Sequence, residues 1–175
     1  MKLKIIDDDG FIALVNSSNY QSFVDVDWQF GQLMTHFTDQ MNAGNIVVWK
    51  TSNDGGGNWL VSFQEQPFST PAFRQFDQFI NVTTGELFLT NYGDLTMAAQ
   101  FSDVSIPAAH NADLKIKLKN GWYKLTVRQL FDPNSSLQYF DSEIEECISF
   151  EIIIEPSSEV VLQPVSGVYW HELKI

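Results

Sequence analysis

Three histidines and one cysteine stand among twenty-two carboxylates in this 175-residue chain, and their spacing decides what chemistry they could do. A metal site or an activated base draws on ligands at short intervals, such as i and i+4 on a helix. His36, His110 and His171 occupy unrelated segments with no second ligand at i+2 or i+4, so spacing predicts neither. Cys147 follows Glu145 and Glu146, whose charges disfavour the thiolate, and a lone cysteine supplies neither a disulfide nor a zinc set. Asp7-Asp8-Asp9-Gly10 has the flavour of a calcium loop. Setting Gly10 at the loop's sixth position, however, puts Ile5 first and Asn16 twelfth, where carboxylates are required. The triplet Gly55-Gly56-Gly57 lacks the Lys-Ser/Thr that completes a phosphate loop, and no Gly-x-Ser-x-Gly elbow is present. The expectation is a non-enzymatic protein with no metal and no cofactor.

Charge carries more information. Ten Lys and Arg against twenty-two Asp and Glu leave a formal charge of −12, which makes nucleic acid and anionic membrane surfaces poor partners and a basic protein a good one. Between Arg128 and Lys174 there is no cation, while nine carboxylates fall in the same stretch. Within it, Asp141, Glu143, Glu145, Glu146, Glu151 and Glu155 are the candidate partner-binding residues. Glu151 and Glu155 alternate with Ile148, Phe150, Ile152 and Ile154, so both are expected to reach solvent from a half-buried strand. The alternative site is aromatic: Trp122, placed beside lysines, could stack on a sugar ring or another small ligand.

The elements that must position these residues read as mainly β. Short runs of β-branched and aromatic residues, bounded by Gly, Asn, Asp and Pro, predict strands near 2–7, 10–16, 45–51, 58–64, 75–82, 85–90, 94–101, 113–119, 122–131, 146–155 and 158–163, with a last one at 168–174. That count predicts an antiparallel, jelly-roll-like β-sandwich, with residues 1–175 as one domain. Asn120-Gly121 fits a type I′ turn, which would pair Lys119 with Trp122 and Ile116 with Leu125. Leu114, Ile116, Leu118, Tyr123, Leu125 and Val127 would then face the core, and Lys115, Lys117, Lys119, Lys124 and Arg128 would share the outer face of one ribbon. One amphipathic helix interrupts the pattern, since Phe30, Leu33, Met34, Phe37 and Met41 recur at helical spacing, with Asp27 as expected N-cap and Ala43-Gly44 as its end.

The ordered motifs Asp27-Trp28, the helix, Gly44-Asn45-Ile46-Val47-Val48-Trp49, Phe79-Ile80-Asn81-Val82, Gly85-Glu86-Leu87 and Asn120-Gly121-Trp122-Tyr123-Lys124-Leu125, followed by an acidic strand, resemble the competence-associated DNA-entry nuclease inhibitors. The likeness spans about residues 25–155. It implies a small acidic intracellular β protein that binds and blocks a nuclease. Three carboxylates at 7–9 interrupt the basic opening before a signal-peptide core could develop, and no window approaches the roughly 20 apolar residues of a membrane span. A cytoplasmic location is expected.

Overall fold

Eleven main helices and strands are present in a computed structural model that describes residues 1–23, 27–53, 55–68, 70–135, 147–159 and 164–171. In chain order they are β1 (Lys2–Asp7), β2 (Phe11–Val15), α1 (Phe30–Asn42), β3 (Ile46–Lys50), β4 (Gly57–Gln64), β5 (Arg74–Val82), β6 (Glu86–Asn91), α2 (Tyr92–Gln100), β7 (Lys115–Lys117), β8 (Gly121–Gln129) and β9 (Phe150–Ser157). The strands form a five-stranded sheet, β1-β4-β9-β8-β5, and a four-stranded sheet, β3-β2-β6-β7. Every pairing is antiparallel except β4 with β9.

Apolar alternation explains how the sheets stack. Ile12, Leu14, Val47, Trp49, Leu87 and Leu89 meet Ile5, Val61, Ile80, Leu125, Val127, Phe150 and Ile152 in one core between the sheets. The opposite side chains of the four-stranded sheet, including Phe11, Ala13, Val15, Ile46 and Val48, enter a second core under the helices. Burial on both faces is why β2 reads Phe-Ile-Ala-Leu-Val without a polar break. The architecture is therefore a β-sandwich with helices over one outer face.

Helix α1 buries Leu33, Met34, Phe37 and Met41 as its spacing predicts, whereas Phe30, the first residue of the expected stripe, is exposed, and Gly44 ends the helix at φ +74°. Its start differs from expectation. Gln29, rather than Asp27, is the N-cap, and its backbone N–H donates to Gln32 Oε1 at 2.6 Å. The segment expected as a strand at 94–101 is helix α2, initiated by Asn91, whose Oδ1 accepts from the Asp94 N–H at 3.0 Å. The expected terminal strand at 168–174 is reduced to one bridge, Tyr169 to Trp49, with 172–174 outside the described residues. There Tyr169 stacks on Phe76 at 3.6 Å, and burial pushes its phenol up to about 12. Of the run expected at 158–163, positions 160–163 also lie outside the described residues.

The hairpin through Asn120-Gly121 does not form. β7 pairs with β6 in one sheet, and β8 pairs with β5 and β9 in the other, so the chain changes sheets at this turn. Asn120 Oδ1 instead accepts from the Gly85 N–H at 2.8 Å, tying the crossing to the β5–β6 turn. Nine pairs between β5 and β8 and eight between β8 and β9 outweigh the short ribbon that the turn alone would favour. The inward side chains survive this change, with Ile116, Tyr123, Leu125 and Val127 buried and Leu114 and Leu118 packed against them. The basic ribbon does not. Lys115 lies 3.6 Å from Glu86 on one sheet, and Lys124 lies 2.8 Å from Asp77 on the other.

Candidate binding surface

Of the six carboxylates expected to meet a partner, Asp141, Glu143, Glu145 and Glu146 lie outside the described residues. Glu151 corrects its own expectation, being wholly buried. It is ion-paired with Arg128 and accepts the Phe68 N–H at 2.7 Å, while Arg128 donates to the Thr70 carbonyl at 2.8 Å. Parts of the segment after β4 thus cover the outer face of β8 and β9 at this point, so alternation away from the core did not lead to water. Glu155 is exposed, directly opposite Lys124 of the neighbouring strand β8.

Trp122 is half-buried, and its ring lies against the α1–β3 turn. A Cβ at Gly44 would sit 2.4 Å from that ring, so the indole occupies space that only glycine leaves open. That part of the ring is therefore given to packing.

Glu155 belongs to a groove that sequence reasoning missed. Parallel pairing brings the C-terminal ends of β4 and β9 to the same end of the five-stranded sheet, whereas β7, opposite them, is only three residues long. The shortfall leaves a groove of about 980 Å³. Phe63, Ile116, Tyr123 and Ile154 give it an apolar floor, exposed Glu65 and Glu155 border one side, and Lys117 borders the other. No local pattern reveals a parallel pair between segments some ninety residues apart, so no signal in the sequence assembles this site.

The other flagged residues serve the fold. Asp7 is buried, and its Oδ1 accepts from the N–H groups of Asp9, Gly10 and Phe11 at 3.1–3.2 Å while Thr51 donates to Oδ2 at 3.0 Å. The Asp-Asp-Asp-Gly turn is held by that carboxylate, and burial raises the Asp7 carboxyl above its ordinary value against the hydrogen bonds that lower it. The glycine triplet packs on the same turn, since a Cβ at Gly56 would fall 1.6 Å from the Asp7 carbonyl oxygen. His36 packs edge-on against Tyr20 and tilted against Phe23, His171 packs edge-on against Phe11 and Phe30, and burial lowers both imidazoles. His110 lies 3.5 Å from Asp94. Cys147 is exposed. Among the described residues no three His, Cys, Asp or Glu side chains converge on a common point, and no helix is long and apolar enough to cross a membrane.

No protein-family model and no curated protein matches this sequence. Solved structures do. The fold is similar to that of a protein described as crocagin biosynthetic gene J, with a TM-score of 0.58 and 11% identity over 89% of this chain and 95% of that one. It also matches ComJ from Bacillus subtilis, described as an inhibitor of the DNA-degrading activity of NucA, with a TM-score of 0.46 and 9% identity over 89% and 93% of the two chains. At these identities the likeness is one of fold: a mainly β sandwich of this size and element order is shared with the first of these proteins over nearly its whole length.

Proposed function

We propose that this chain is a non-enzymatic cytosolic binding protein, an acidic inhibitor or immunity-type protein that docks on a basic partner such as a nuclease or toxin. The observation that carries the reading is the fate of its cations. Arg128, Lys124 and Lys115 each face an internal carboxylate, and Arg74 donates to the Lys50 and Thr51 carbonyls while lying 4.2 Å from the Trp170 ring. With ten cations against twenty-two carboxylates the excess negative charge remains, and no Lys or Arg falls between 129 and 173. Such a field speeds encounter with a cationic surface and repels nucleic acid. The sequence resemblance to nuclease inhibitors supports the same class of partner. Ligand stacking on Trp122 has less support, because that ring already packs on Gly44.

Affinity capture from the source cytosol at low ionic strength tests the reading. A basic protein should be retained and should elute as salt approaches roughly 0.5 M, where charge interactions are screened within a few ångströms. Retention of neutral or acidic proteins alone, or capture indifferent to salt, would count against it.

A further inference from the structure

We propose that residues 164–171 form a proton-operated latch, in which protonation of His171 frees Tyr169, Trp170 and His171 from β3 and uncovers that strand's outer edge. β3 is the edge strand of its sheet, and the Lys50 N–H on its free side donates to the Tyr169 carbonyl at 2.9 Å. Tyr169 and Trp170 pack on Phe76, and Arg74 lies over the Trp170 ring. Two observations mark this end as poised to open. Trp170 holds φ at +60°, a left-handed backbone that is strained for a bulky side chain. Beneath 166–168 a cavity of about 110 Å³ separates the segment from α1, so contacts that would hold it down are missing there.

His171 supplies the trigger. Its ring lies edge-on between Phe11 and Phe30, both ring nitrogens are shut off from solvent, and neither has a hydrogen-bond partner among the described residues. The charged group that acts on it is Lys50 of β3, a like charge once the imidazole is protonated. From β2 it meets Phe11, and from α1 Phe30 and the cavity side chains Met34, Thr35 and Thr38, none of which titrates. Behind Phe11, the phenol of Tyr92 on α2 is raised by burial and stays neutral. A protonated ring carries two donors and a full charge, and among the described residues the docked site pairs neither. Burial and Lys50 hold the docked imidazole below the ordinary histidine value, so docking is favoured above that value and weakens as pH falls through it.

Amide hydrogen exchange tests this, read as a protection factor so that the intrinsic pH dependence of exchange cancels. Protection of the Lys50 amide should fall roughly fivefold or more between about pH 7.5 and about pH 5, whereas that of Leu14, paired on both sides within the sheet, should not follow it. His171→Phe keeps a ring between Phe11 and Phe30 but has no proton to gain, and should hold Lys50 protection within about twofold over that range. His36→Phe, which removes the other imidazole that burial lowers, should keep the wild-type response. So should Glu172→Gln, which removes the nearest carboxylate in sequence, at a position outside the described residues. If His171→Phe fails to fold, the wild-type imidazole resonances decide: His171 should titrate below the ordinary histidine value, in step with the loss of Lys50 protection. Unchanged Lys50 protection, an equal loss at Leu14, a response that survives His171→Phe or vanishes in His36→Phe or Glu172→Gln, or an ordinary His171 titration would each overturn the proposal.

Discussion

Glu151 shows most sharply what alternation along a strand can and cannot say. The pattern of β9 correctly turns its carboxylate away from Phe150 and Ile152, yet the face it reaches is occupied by Arg128 and by the backbone at Phe68 and Thr70. Which face a side chain takes is local, whereas what covers that face depends on a segment more than eighty residues earlier. Removing one member of a buried pair strands the other charge, so Glu151→Ala should cost about 3–5 kcal/mol in chemical denaturation. The double variant Arg128→Met with Glu151→Leu should be more stable than either single change; additive losses would show that the pair does not act as a unit. Asp7 was legible as a turn residue but not as its anchor. Because burial places its folded value above its unfolded one, the fold binds the proton more readily, and this group opposes folding increasingly as pH rises through that interval. Stability of the wild-type protein relative to Asp7→Asn should therefore improve as pH is lowered from 7 towards 4, and the reverse trend in paired denaturation curves would contradict the assignment.

At the scale of elements, nine of the predicted strands and the helix α1 appear where the apolar periodicity places them, while the exceptions share a cause. Within 94–101, Leu95, Met97, Ala99 and Phe101 alternate as in a strand, yet the buried set is Leu95, Thr96, Ala98 and Ala99 of a helix whose N-cap, Asn91, directly follows the strand expected at 85–90. The turn at Asn120-Gly121 has the residues of a hairpin, but partners β5, β6 and β9 are distant in sequence and offer longer ladders. Competition of that kind is invisible to local chemistry. Two glycines separate local from tertiary demands. Gly31 has open space around a Cβ within α1, so Gly31→Ala should stabilise by about 0.5–1 kcal/mol. Gly56 faces the Asp7 carbonyl at a distance no Cβ tolerates, so Gly56→Ala should destabilise by at least about 2 kcal/mol. Thermal melts of both variants check the pair, and opposite signs from these would place the turn or the helix wrongly.

The whole molecule joins a two-core sandwich to an unbalanced charge, and the two were unequally readable. Sandwich and sign follow from composition and periodicity; the groove between β7 and the ends of β4 and β9 follows from topology alone. On this account the sandwich supplies a fixed surface and the carboxylates of the cation-free stretch supply the long-range attraction. The most direct measurement is the association rate with the captured basic partner as a function of salt, for the wild-type chain and for the triple change Glu143→Lys, Glu145→Lys and Glu146→Lys. The account predicts a rate that falls steeply with added salt and drops roughly tenfold or more at low salt in the triple variant, with the melting temperature preserved. A rate indifferent to both salt and charge reversal would contradict it.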